Sequence, residues 1–143
     1  MTTTVHKWIP DINVLLSGAT NPHGIPRKIF EAACEFRIIF VLTDEHYIEM
    51  QRILSYEKVL RLGQDSFTPA SAFGLAATLS RIAEHHSRLE HYEWTSCSDP
   101  KDWYLLDLLL TSNATGIITK DKHLLGLKSK LGLPIFRPED IQL

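Results

Sequence analysis

Apolar positions along this chain fall into two rhythms: short β-branched runs, and longer stretches with helical spacing. "RIIFVLT" (37–43) is almost wholly apolar, as a strand covered on both faces must be. "VHKWIP" (5–10), "LEHYEW" (89–94), "GIIT" (116–119) and "LPIFRP" (133–138) are shorter strand candidates, the last stopped by Pro138. Helical spacing marks "IPRKIFEAACEF" (25–36), whose Pro26 suits a first helical turn. A further helix follows Thr43, a good N-cap backed by Asp44 and Glu45, and runs towards Gly63. Thr68 and Pro69 open another, through about His86. Asp99 and Pro100 open a strongly apolar helix, and the last begins near Asp121.

The resulting order, β-α-α-β-α-α-β-α-β-α-β, implies a parallel sheet with helices on both faces. Ligands in such folds sit outside the C-terminal ends of the strands. Those ends are acidic here. Asp11 follows the first strand, Asp99 and Asp102 the third, and Asp121 the fourth, two residues after Thr119. Helix geometry adds a fourth acid. At about 100° per residue, His46, Tyr47, Met50, Ile53 and Leu54 share a stripe, and Glu49 lies at its margin beside Arg52.

Composition narrows the class. At 143 residues the chain has the length of one domain, and it can bury a core without staples. No run of eighteen apolar residues suggests a membrane span, and "MTTTVHKW" lacks a signal-peptide core. Cys34 and Cys97 stand far apart in no metal-type spacing, which fits a reducing, cytoplasmic setting. The formal net charge of -2 argues against a broadly basic nucleic-acid binder, though not against a local positive patch.

"DINVLLSG", "TDEHYIEMQRIL", "DPKDWYLLDLLL" and "GIITKDKHLL" resemble, in order and spacing, the successive motifs of PIN domains. The resemblance is nearest to the bacterial toxin components of toxin–antitoxin pairs. It runs from about residue 9 to residue 138, and "LGLPIFRPEDI" is similar to that group's closing strand and turn. It implies a single PIN-like domain over residues 1–143, built as a three-layer α/β/α sandwich on a parallel sheet. It also implies an endoribonuclease dependent on Mg²⁺ or Mn²⁺, with an RNA substrate, a cognate antitoxin and a homodimer as partners. Carried over by position, the acidic quartet falls on Asp11, Glu49, Asp102 and Asp121. Asn13 and Thr119 match supporting polar positions, and Asp99 a more peripheral one. These residue types suit the chemistry, because hard cations prefer carboxylate oxygens and can activate water for phosphodiester hydrolysis.

Four positions depart from the family pattern: Pro10 in the first strand, Ile12 in place of a hydroxyl, Trp103 beside the third acid and Lys120 before Asp121. They motivate a second reading, a PIN-like module without useful catalysis that binds protein or RNA. An aspartyl-phosphate hydrolase is disfavoured, since Asn13 stands where a second aspartate is needed. Each acid also has a plainer reading. Asp99 and Asp121 suit N-caps, Asp102 a first helical turn, and Glu49 a surface pair with Arg52.

Arg52, Lys101, Lys120 and Lys122 neighbour the quartet and are the expected phosphate contacts. His46 and His123 lie near site motifs and within reach of a phosphate, whereas His85, His86 and His91 read as solvated surface. Asp107, inside "LLDLLL", is expected on the outer face of its helix.

Overall fold

Side chains alternate strictly across the first two strands, and that alternation sets the layers. In the computed structural model, which describes residues 5–54, 69–87 and 90–143, β1 (Lys7–Pro10) turns Trp8 to one face and Ile9 to the other. β2 (Ile39–Thr43) does the same with Phe40 and Leu42 against Val41. Each face therefore needs its own apolar cover. Helices α1 (Ile12–Thr20), α2 (Ile25–Cys34), α3 (Asp44–Leu54) and α4 (Pro69–Ile82) cover the Trp8 face with Leu15, Ile29, Met50 and Leu79. Helices α5 (Trp103–Thr111) and α6 (Lys122–Leu131) cover the Ile9 face with Leu105, Leu106, Leu108 and Leu124. Truncating a fully buried leucine such as Leu105 should cost roughly 2–5 kcal/mol.

β3 (Glu84–His86), β4 (Gly116–Ile118) and β5 (Ile135–Phe136) complete a five-stranded sheet of order β3-β2-β1-β4-β5. Every pairing is parallel, so the expected three-layer α/β/α sandwich is what forms. The chain first builds outward on one side of β1, then crosses to β4. Strand order reverses there, and a crevice opens beyond the ends of β1 and β4. Gly116 permits the close fit of β4 against the following loop, since a Cβ there would lie 2.6 Å from the Pro134 carbonyl oxygen.

Several boundaries differ from the sequence expectation. The third strand is Glu84–His86, the described residues 90–94 of the expected strand form none, and the preceding helix stops at Ile82. "EHH" carries no apolar signature. It is held as an edge strand by pairing with β2, by the Lys7–Glu84 ion pair at 2.8 Å and by Thr43 Oγ1 donating to the His86 carbonyl at 2.6 Å. α2 ends two residues early because Phe36 turns left-handed, with φ of 58°. The expected run of α3 to Gly63 and the opening at Thr68 lie outside the described residues.

Asp107 is a larger correction. It is only 2% exposed. Its carboxylate accepts from Trp94 Nε1 at 2.9 Å, the Tyr92 amide at 3.2 Å and His91 Nδ1 at 3.4 Å. Residues 90–94, expected as a strand, instead wrap the face of α5 that was expected to meet water. Three donors make that buried carboxylate tolerable.

Candidate active site

Pro10 ends β1 and sets up the corner where the acids gather. The β1–β4 ladder continues through Pro10↔Ile118, while the β1–β2 ladder ends at Trp8↔Phe40. A proline has no N–H to give, and the gap opened beside β2 is filled by His46. Its Nε2 donates to the Pro10 carbonyl at 2.9 Å, and its Nδ1 accepts from the Thr43 amide at 3.0 Å. Those two bonds fix a neutral tautomer, and burial pushes the ring's pKa down to about 4. His46 is therefore a buried strut joining two strand ends, not the phosphate contact that its position suggested.

Asp11 follows directly. Its amide donates to the Ile118 carbonyl at 2.8 Å, and its own carbonyl accepts from Leu15 at 3.0 Å, starting α1. The side chain is 6% exposed. Thr119 Oγ1 donates to Asp11 Oδ2 at 2.8 Å and accepts from the Asp121 amide at 3.0 Å, so one buried hydroxyl ties two acids together. Burial raises the Asp11 pKa and Asp121 adds to the rise. The Thr119 hydroxyl and the nearby amides of Asn13 and Ile12 offset part of it, although neither amide completes a capping hydrogen bond. Ile12, in the place of the usual hydroxyl, is core, and Asn13 faces the cleft from the exposed side of α1.

The remaining acids come from helices. Asp121 caps α6, accepting from the His123 amide at 2.8 Å. Asp99 caps a short 3₁₀ turn (Pro100–Asp102) through the Lys101 amide at 3.0 Å, as its cap reading anticipated. Asp102 ends that turn at the start of α5. Glu49, on α3, is held by Arg52 through Oε2 at 2.5 Å and Oε1 at 3.3 Å. Trp103, also a departure from the pattern, anchors its ring through Nε1 donating to the Cys97 carbonyl at 3.1 Å.

All four quartet members line one cleft of about 270 Å³, with Asn13, Arg52, Asp99 and Lys101 also on its wall. They act on one another there. The Asp102 pKa is pushed up to about 7, first by burial and then by Asp11, Asp99, Asp121 and Glu49. Lys120 and Lys122 are exposed beside Asp121 and stand outside the cleft wall. Tyr104 is a wall residue that sequence reasoning missed. Burial raises the pKa of its phenol, helped by Asp11, Glu49 and Asp102, and its ring packs edge-on against His46 at 5.1 Å. The only signal in the sequence was its place two residues beyond Asp102.

A divalent cation suits this donor set in kind, since carboxylate oxygens are its preferred ligands. In distance the set is not a finished cage. Among the described residues, no three carboxylate, histidine or cysteine side chains are close enough together to hold a metal as they stand. Arg52 hydrogen-bonds both Glu49 oxygens, so a cation there would share Glu49 with a guanidinium.

Carboxylates gathered at the switch point of a parallel α/β/α sandwich make a site of the kind that suits a divalent cation. The model of the PIN domain matches residues 8–123, and the chain belongs to that family. PIN domains are generally nucleases that use divalent metals such as Mg²⁺ or Mn²⁺ and act on RNA. A comparison with curated proteins finds no match.

Proposed function

We propose that this chain is a single PIN-like domain acting as a Mg²⁺- or Mn²⁺-dependent endoribonuclease, of the toxin type that works in the cytoplasm. The observation that carries the reading is the Thr119 hydroxyl, which joins Asp11 to the Asp121 backbone inside the cleft that Glu49 and Asp102 also line.

In this reading Asp11, Glu49, Asp102 and Asp121 hold the cation. Bound there, it supplies Lewis-acid stabilisation of the phosphoryl group and lowers the pKa of water. Thr119 keeps Asp11 turned to the cleft by donating its only proton to it. His46 keeps β1 and β2 ends in register behind Asp11. Lys101 and Arg52, on the wall, offer positive charge to the RNA backbone without reading its bases. The antitoxin partner rests on the family resemblance, and an inserted arginine would suit carboxylate pairing in this cleft. A homodimer rests on the family resemblance alone.

The second reading is a PIN-like module without useful catalysis. The same ion pair favours it, since a guanidinium already balances the charge of one quartet member. Purified protein incubated with varied RNAs separates the two. The nuclease reading expects cleavage that needs Mn²⁺ or Mg²⁺ and stops with EDTA. Intact RNA in every metal would hand the case to the binding module.

A further inference from the structure

A second cleft of about 310 Å³ opens beside the acidic one and shares Glu49, Lys101 and Tyr104 with it. Its character is different. Tyr92, Trp103 and Tyr104 give it aromatic walls, and Ile48, 60% exposed on α3, gives an apolar rim. Two of the rings are pinned, Trp103 by its bond to Cys97 and Tyr104 by burial against His46. Tyr92 is 45% exposed, while its backbone is fastened to Asp107. The polar groups inside include Glu45 and Asp107. Asp107 is already occupied by three donors, whereas the Glu45 carboxylate's one polar contact among the described residues is a 3.5 Å approach to Thr43 Oγ1, whose proton goes to His86.

We infer that this cleft is a subsite for one unpaired RNA base carrying an exocyclic amino group, seated next to the scissile phosphate. The inference rests on the nuclease reading and names what the site selects. Flat rings with an exposed face stack bases, and single-stranded RNA is read in this way. Acidic walls repel a phosphate, so the base enters while the backbone passes over Lys101, which borders both clefts. Glu45 is an acceptor with capacity left. An amino group such as that of cytosine suits a carboxylate. Uracil presents carbonyl oxygens on either side of its N–H, and a carboxylate opposes them.

The test is binding of dye-labelled oligocytidine and oligouridine in EDTA, followed by anisotropy, with cleavage of a longer RNA in Mn²⁺ measured in parallel. Oligocytidine should bind roughly tenfold more tightly than oligouridine. Tyr92→Ala, which keeps the backbone bond to Asp107, should weaken oligocytidine binding roughly tenfold through lost stacking. Glu45→Gln should abolish the preference. Equal affinities, no measurable binding of either, or indifference to Tyr92→Ala overturns the subsite, and continued Mn²⁺-dependent cleavage would then leave the nuclease reading intact. A cytidine preference without any cleavage supports the subsite and sinks the nuclease reading instead.

Discussion

The two sides of the acidic cleft are built by different means. On the sheet side, Asp11 is buried and tied to Thr119, and Asp121 is fixed by its cap at the start of α6. Strand pairing through Asp11 and Ile118 sets that corner. On the helix side, among the described residues, Glu49 is held only by a part-exposed pair with Arg52, and Asp102 ends a short 3₁₀ turn with no capping bond from its side chain. One side is preset by the fold, and the other can adjust. On the proposed reading, the sheet-side acids would fix a cation's position and the helix-side acids would complete its ligands.

The largest effects should come from breaking the rigid side. Replacing groups that merely orient a metal ligand typically costs 10–100-fold, on the order of the Thr119→Val effect expected on RNA cleavage. Thr119→Val should also destabilise the protein by roughly 1–3 kcal/mol, since Asp11 would lose a buried partner. Asp11→Asn, which removes the proposed ligand itself, should cost cleavage at least about a hundredfold. Cleavage rates and denaturant melts of the two variants check this, and wild-type rates in either would show that the corner is not catalytic.

The helix side should answer differently. Arg52→Ala removes the part-exposed pair that holds Glu49. It also removes a cation from Glu49, so Mn²⁺ should bind more tightly than to wild type. Calorimetric titration reads both proteins, and weaker Mn²⁺ binding would mean that Arg52 orients Glu49 instead of competing for it.

This contrast also marks what was legible in the sequence. The parallel sandwich was readable because its strands are apolar and its helices amphipathic; Asp11, Asp102 and Asp121 could be brought to one cleft because each stands at an element's start, and Glu49 because it lies at the margin of a helical stripe. Thr119 was recognisable by its place two residues before Asp121. The edge strand Glu84–His86 was not, because ladder bonds and ion pairs made at a distance in sequence hold it. Asp107 was misplaced for the same kind of reason. Its burial depends on donors from residues 91–94 that a helical wheel cannot see. His46 looked like a site residue, yet the broken β1–β2 ladder that it fills exists only in three dimensions.

A smaller effect concerns pH in the metal-free protein. Asp102 has its pKa raised from 3.8 to about 7 in the folded chain, so folding favours its protonated form. That contribution is complete below the unfolded value and is lost as pH rises through the folded one. In EDTA, wild type should therefore lose stability relative to Asp102→Asn between about pH 4 and pH 7. Parallel melts across that window check the sign, and a constant difference would contradict the rise that burial and the neighbouring acids give Asp102.

The most direct measurement is the Mn²⁺ shift in melting temperature for wild type, Asp102→Asn and Asp140→Asn. Asp140 is exposed in the C-terminal 3₁₀ turn and serves as the control, since Asp107 is buried. A cation bound only by the folded state stabilises it by about 2.7 kcal/mol at a hundredfold excess over Kd. Wild type and Asp140→Asn should rise together by several degrees, and Asp102→Asn by much less. Equal shifts in all three proteins would show that the cleft holds no cation through Asp102, and would contradict the metal-dependent nuclease.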